Sequence, residues 1–248
     1  MKSHSVSRRR FLQSSAAASA PFILPSGIWS AKVKPNDKIS VGFIGMGIQN
    51  RGLQRRFMGD KNVVCVAVSD CDTTRRNAAR DTANKRYENK DCKAYVDFRE
   101  LIVRDDIDAV SIATPDQWHA IQTIAAVNSG KDVYCEKPIT HFFAEGQAVY
   151  REAAKQKAIF QTGSQQRSDR RFRHAVELVI NGVIGKVKEV QVGLPKGHDS
   201  DKGDSTEHDY SNRSDFQLWT GPAPLLPYVA ARHHWHWRWH LAYGGGQL

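Results

Sequence analysis

Val41-Gly42-Phe43-Ile44-Gly45-Met46-Gly47-Ile48-Gln49-Asn50-Arg51-Gly52 passes from an apolar strand through two glycines into a helix, and its reading decides the fold. In such a turn the first glycine makes the tight bend, and the second lets a phosphate approach the backbone at the helix N-terminus. Gly45 and Gly47 take those two places, and Met46 and Ile48 complete the loop. The third place, where a glycine ordinarily lets helix and strand pack closely, holds Asn50, with Gly52 two residues later. The phosphate contacts depend mainly on the first two glycines and the helix end. Asn50 therefore bears on loop shape more than on binding. Asp70 closes the next strand, 25 residues after Gly45. A carboxylate there accepts from both ribose hydroxyls and repels a 2′-phosphate, so the expected cofactor is NAD rather than NADP. Asp72 is a neighbouring candidate, and Arg75 or Arg76 can blur that preference.

Outward from this turn, apolar runs alternate with amphipathic segments, the pattern of repeated β-α units. Strands are expected at 38–44, 63–69, 95–96, 109–112, 133–135 and 159–162, with helices at 50–58, 73–85, 117–128 and 142–157. Asp97-Phe98-Arg99-Glu100 has capping-box spacing and starts a further short helix. On helix 117–128, Trp118, Ile121, Ile124 and Ala125 share one side. The pattern then changes. Arg170–Ile180 is amphipathic, with Phe172, Val176, Val179 and Ile180 at helical spacing, and Asn181-Gly182 stops it. Residues 186–192 alternate like a half-exposed strand, a long polar loop follows, and the chain closes on proline turns and an aromatic run. The expected class is α/β: an N-terminal Rossmann domain with a doubly wound parallel sheet over 36–161, then an incomplete α+β substrate domain over 162–248.

Two motifs sit at strand ends, where ligands gather in open α/β sheets. Ala113-Thr114-Pro115-Asp116-Gln117-Trp118-His119 follows the fourth strand, and Glu136-Lys137-Pro138 follows the fifth. A residue before proline has a restricted backbone, so the Lys137 ammonium is aimed. It can orient a substrate hydroxyl and stabilise developing negative charge.

In this order the motifs resemble the glucose–fructose oxidoreductase/inositol dehydrogenase (Gfo/Idh/MocA) family over nearly everything from Lys38 to Leu248. The resemblance implies an NAD-dependent oxidoreductase that transfers hydride between a sugar or polyol and tightly bound nicotinamide. It implies that Lys137 is catalytic, beside the nicotinamide. Glu136, Thr114, Pro115 and His119 are cofactor-site positions by the same carry-over, with helix packing the alternative for His119. Gln165, Gln166 and Arg167 resemble positions that line a substrate cleft, with surface exposure the alternative. The alternative activities are NAD-dependent glycoside hydrolysis and a non-catalytic dinucleotide-binding remnant. In the family, a glycine-rich run like Gly244-Gly245-Gly246 leads into a segment carrying a catalytic Asp and His, so the chain is expected to be truncated, and its full-length form a homo-oligomer.

The aromatic run alternates Trp235, Trp237 and Trp239 with His234, His236, Arg238 and His240, which suggests a strand with two different faces. Its indoles suit either a carbohydrate cleft or a packed core. Its histidines have no acidic or cysteine partner at ligand spacing, and no metal is expected. The acidic stretch 199–204 lacks the glycine and terminal Glu of a calcium loop. Cys65, Cys71, Cys92 and Cys135 show no C-x-x-C spacing and read as core residues, a disulfide being the alternative.

At the N-terminus, Ser7-Arg8-Arg9-Arg10-Phe11-Leu12-Gln13 and the apolar 16–24 read as a twin-arginine signal within 1–31, implying the export machinery as a partner and a periplasmic location. Of the net charge of +10, four positive charges precede Ala31, where no acidic residue occurs, leaving six. The positive residues of that remainder, as at Arg75, Arg76, Arg80, Lys85 and Arg86, are scattered over helix faces rather than gathered in a stripe, and no nucleic acid is expected.

Overall fold

The structure, a computed structural model, describes residues 37–193, 204–207 and 215–246. The expected export signal and most of the polar loop, including nearly all of the acidic stretch, lie outside the described residues. Six strands alternate with helices: β1 (Ile39–Ile44), α1 (Ile48–Phe57), β2 (Val63–Ser69), α2 (Thr73–Tyr87), β3 (Lys93–Tyr95), α3 (Phe98–Ile102), β4 (Ala109–Ile112), α4 (Asp116–Asn128), β5 (Asp132–Glu136), α5 (Phe143–Gln156) and β6 (Phe160–Gly163). After β6 come α6 (Arg170–Ile180) and α7 (Phe216–Thr220).

All strand pairs are parallel, and the sheet order is β3-β2-β1-β4-β5-β6. The order reverses between β1 and β4. That is the switch point of a doubly wound sheet, where the crevice for a ligand opens. Successive residues of β1 feed the two faces: Phe43 joins Met46, Val68 and Ala79, while Ile44 joins Leu101, Val110 and Ile112. Burial on both faces explains why these strands read as continuous apolar runs. Gly42 in β1 is spaced by packing, because a Cβ there would lie 2.6 Å from Leu101 Cδ2. The capping signal at Asp97 holds, its side chain accepting from the Arg99 N–H at the start of α3. No described helix is long and apolar enough to cross a membrane.

Two sequence expectations are corrected. Residues 186–192 form no strand: no strand among the described residues pairs with them, and Val190 and Val192 are exposed. Alternation alone does not make a strand whose backbone groups lack a partner. The Trp235–His240 run is likewise no strand but a 3-10 turn over His236–Trp239, closed by His236 N–H to His233 O and His240 N–H to Trp237 O. On α4 the side shared by Trp118, Ile121, Ile124 and Ala125 is only partly buried. Ile121 is exposed, while Trp118, His119, Gln122, Thr123, Ala126 and Val127 are buried. The chain after β6 returns to cover the first turn of α4. Trp118 Nε1 donates to the Trp219 carbonyl at 2.9 Å, and a Cβ on Gly221 would meet the Trp118 ring at 2.3 Å. A helix packed on two sides needs no single apolar stripe.

The four cysteines are free, and Cys65, Cys92 and Cys135 are buried as core residues. No group of three potential metal ligands occurs among the described residues.

Candidate active site

The turns after β1, β2 and β4 meet at the switch point. Gly45 has φ +80°, and its N–H donates to the Ser69 carbonyl at 2.8 Å. A Cβ there would lie 2.6 Å from Thr114 Cγ2 and 2.9 Å from Thr114 N, so both the left-handed backbone and the close approach require glycine. The Met46 side chain is buried, and its N–H donates to Asp70 Oδ2 at 2.5 Å. Asp70 Oδ1 accepts from the Asp72 N–H at 2.8 Å. One carboxylate thus ties the glycine turn to the start of α2, and burial raises its pKa. A carboxylate has about four acceptor positions, so Asp70 keeps capacity for ribose hydroxyls.

Gly47 differs from Gly45. It caps α1 with extended backbone and no side-chain cap, and a Cβ there would meet only Arg75 Nη1, at 3.6 Å. The space above it is open, and the first N–H groups of α1 face a region suited to an anion. This cradle fits the diphosphate of a dinucleotide. Asn50 explains the missing third glycine. It is fully buried, donates to the Ile44 carbonyl at 2.9 Å and the Ser111 carbonyl at 3.2 Å, and accepts from Ser111 Oγ at 2.8 Å. Polar bonds here join α1 to β1 and β4 where glycine would rely on contact alone. Gly52 meets nothing within 4 Å and is no substitute.

The turn opens on a cavity of about 290 Å³ lined by Gly45, Gly47, Ile48, Gln49, Asp70, Arg75, Thr114 and Pro115, and on its far wall by Trp235, Trp237 and Arg238. A second, larger cleft of about 1010 Å³ is lined by Ile48, Gln49, Arg56, Tyr134, Gln165 and Gln166. Ile48 and Gln49 belong to both. Glu136, buried at the end of β5, joins these parts: its Oε1 accepts from Gln49 Nε2 at 2.8 Å and from Gln165 Nε2. Gln165 also donates to Tyr134 Oη at 3.0 Å. A Cβ on Gly163 would lie 2.8 Å from Glu136 Cδ, so that glycine lets the node close.

Lys137 is exposed, its N–H pointing to Glu136 Oε2 at 3.3 Å, and the Lys137–Pro138 bond is cis. It lines neither cavity but lies near Asp116, whose acidity its charge increases. Gln166 and Arg167 are exposed, in a 3-10 turn over Gln165–Ser168. His119 is not brought to the cavity. It is 1% exposed, with Nδ1 2.5 Å from the Pro138 carbonyl and Nε2 2.9 Å from the Thr114 carbonyl. Burial lowers its pKa, and the neutral ring donates to one of the two. Its position braces the loops that carry Thr114 and Lys137.

A family profile described as "Oxidoreductase family, NAD-binding Rossmann fold" matches residues 39–164. The chain belongs to this GFO_IDH_MocA family. Among similar proteins are a 2,7-anhydro-N-acetylneuraminate hydratase of Mediterraneibacter gnavus, 30% identical over 60% of this chain and 37% of its own, and a myo-inositol 2-dehydrogenase of Thermotoga maritima, 38% identical over 38% and 28%. The chain spans about a third of the length of these relatives. A crystal structure of scyllo-inositol dehydrogenase from Lactobacillus casei, with bound NAD(H) and scyllo-inositol, superposes with a TM-score of 0.55 at 26% identity, over 60% of this chain and 43% of that one.

Three site groups escaped the sequence reading. Gln49 looked like an ordinary residue in the first turn of a helix. Arg238 was subsumed in an aromatic alternation. Asp116 stood inside a quoted motif as a carboxylate at a helix start, where an acidic residue is commonplace. In the structure it is 3% exposed, and Oδ2 accepts from the Gly245 N–H at 3.2 Å. Burial pushes its carboxyl up to about 6, against the opposing pull of that N–H, Lys137 and Arg238.

Proposed function

We propose that this chain serves an NAD-dependent oxidoreductase acting on a sugar or polyol. The observation that carries the reading is the shared wall: Ile48 and Gln49 line both the cavity over the glycine turn and the cleft holding Gln165 and Gln166. A dinucleotide and a polyhydroxylated ligand can therefore meet there. When bound, NAD supplies the hydride acceptor and donor at its nicotinamide ring.

The chain's own residues bind, orient and polarise. Gly45, Met46, Gly47 and Ile48 present backbone to the diphosphate, Asp70 takes the ribose hydroxyls, and Thr114 and Pro115 flank the nicotinamide end. NAD is favoured over NADP by Asp70. Lys137 donates to the reacting hydroxyl and stabilises its oxygen as negative charge develops. Glu136, held by Gln49 and Gln165, fixes the loop that carries Lys137. Gln165, Gln166 and Arg167 bind the remaining substrate hydroxyls. In the periplasmic setting read from residues 1–31 there is no free dinucleotide pool, so the cofactor stays bound and is restored within each cycle.

A second reading keeps the same site with no net oxidation, transient oxidation assisting cleavage or hydration of a sugar. A relative named as a hydratase of an anhydro sugar favours it. Titration of the chain with NAD, followed by tryptophan fluorescence, tests the cofactor site. Saturable quenching, competed by ADP-ribose and weaker with NADP, is expected. No binding of either dinucleotide ends the reading. With the complete enzyme, NADH appearing at 340 nm with inositols or hexoses marks the dehydrogenase, and product without NADH marks the second reading.

A further inference from the structure

Cys65 and Cys92 are separated by all of α2 in the chain, yet their sulfur atoms lie 4.0 Å apart within one apolar cluster. A disulfide holds its sulfurs about 2.05 Å apart, so the gap to be closed is about 2 Å. Neither end is locked in a regular ladder. Cys65 stands on β2 where the register against β1 slips, Val41 pairing with Cys65 and Gly42 with Ala67. Cys92 lies in the loop just before β3, a three-residue edge strand that pairs with β2 alone. Short edges open locally more readily than central strands. The two thiols also differ. The Cys92 S–H and, at 3.5 Å, Gln54 Nε2 donate to Cys65 Sγ and draw its pKa down, whereas burial pushes Cys135 up to about 12. Cys65 is therefore the better attacking sulfur. Cys92 is the one within reach of the surface, because it lines a cleft of about 790 Å³. Arg80 on that cleft pairs with Asp81 at 2.8 Å, which leaves Lys85, Lys90 and Lys93 against Glu88 and admits an anionic molecule.

We propose that Cys65 and Cys92 form a thiol–disulfide exchange site, which an anionic small disulfide enters through the cleft at Cys92 and which closes to a reversible Cys65–Cys92 bond. In the first step Cys92 gives up its proton and attacks one sulfur of the external disulfide. A mixed disulfide forms on Cys92 and one thiol leaves. Cys65 then gives up its proton and attacks the Cys92 sulfur, which closes the internal bond and releases the second thiol. The two cysteines lose two electrons and two protons, and the external disulfide leaves as two thiols. The bond closes a ring of chain that holds α2, Asp70 and Asp72, so the oxidised form fixes the outer β2-α2-β3 unit more firmly than the reduced form. In the oxidising setting read from residues 1–31 the pair stands closed, and a pool of reduced thiol opens it. The site does not depend on the NAD reading.

The test incubates the folded 248-residue chain with oxidised glutathione, traps remaining thiols by alkylation and maps the linked peptides by mass spectrometry without reduction. A Cys65–Cys92 peptide is expected, with the intact mass lower by two hydrogens, and dithiothreitol should reverse it. The melting temperature of the oxidised form should exceed that of the reduced form by about 5–10 °C. Cys65→Ser should trap glutathione on Cys92, and Cys92→Ser should leave Cys65 unmodified. The mapping of the unmutated chain decides the matter even if a variant fails to fold. A folded chain with no Cys65–Cys92 link overturns the proposal. So does glutathione that stays on Cys92 with Cys65 free, or a link that joins Cys71 or Cys135 as readily. Equal melting temperatures for the two forms would remove the claim that the bond fixes the β2-α2-β3 unit.

Discussion

Asn50→Ala removes the polar join that stands where the fingerprint normally has its third glycine. Three hydrogen bonds go: those donated to the Ile44 and Ser111 carbonyls, and that accepted from Ser111 Oγ. Each contributes about 1 kcal/mol net, and the stranded, fully buried Ser111 hydroxyl costs about 1–3 kcal/mol more unless it re-pairs. The expected loss is about 4–6 kcal/mol, or about 3 kcal/mol if the hydroxyl re-pairs, a large share of the roughly 5–15 kcal/mol that keeps a domain folded. Urea unfolding at constant slope measures it. Ser111→Ala alone loses one bond and leaves Asn50 Oδ1 without its donor, at about 1–2 kcal/mol. The double variant leaves no stranded hydroxyl and loses the shared bond only once, so its loss falls short of the summed single losses by about 2–4 kcal/mol. A loss below about 1 kcal/mol in Asn50→Ala, or strict additivity in the cycle, would refute the idea that these bonds replace glycine packing. Asn50→Gly is the sharper control, since it restores the usual fingerprint residue yet should be as unstable as the alanine variant.

The two glycines of the turn separate stability from binding. Gly45→Ala forces a Cβ to 2.6 Å from Thr114 Cγ2 at φ +80° and should lower the melting temperature and abolish NAD binding together. Gly47→Ala meets only Arg75 Nη1 at 3.6 Å, so its melting temperature should hardly move while NAD affinity falls at least tenfold; equal effects in the two would contradict the cradle. Asp116, pushed up to about 6 by burial, holds a proton in the fold that the unfolded chain releases near 4. Its favourable contribution is therefore complete below about pH 4 and lost as pH rises through about 6. Asp116→Asn keeps an acceptor for Gly245 and should match wild type near pH 4 but exceed it by up to about 3 kcal/mol at pH 8. Urea midpoints across that range would show a flat difference if the carboxyl were ordinary. In the complete enzyme, Lys137→Ala should cut kcat at least a hundredfold with the NAD Kd within threefold; turnover within twofold of wild type would remove Lys137 from the chemistry.

Much of the fold is legible along the chain because its causes are local. Val63–Ser69, Ala109–Ile112 and Arg170–Ile180 fall where apolar runs and helical spacing put them. The glycine turn and the Asp97 cap are likewise written in short segments whose backbone demands single residue types. Misreadings came where the deciding partner is distant. Residues 186–192 alternate, but no strand among the described residues pairs with them, and an alternating pattern has no meaning without a ladder. The Trp235–Trp239 alternation reflects a turn packed against the nucleotide cavity rather than a pleat.

The sequence by itself determined the β-α alternation, the place of the dinucleotide turn and the strand ends that carry Asp70, Thr114 and Lys137, because hydrophobic period and glycine conformation act over a few residues. Only the tertiary structure decided that Asn50 bonds to β4, that Glu136 gathers Gln49 and Gln165, that Asp116 is buried under Gly245 and that Arg238 reaches the cavity of Gly45. Burial, desolvation and hydrogen-bond satisfaction are properties of neighbours in space. Asp116 and Gly245 are 129 residues apart in the chain, so nothing in either segment alone records the contact.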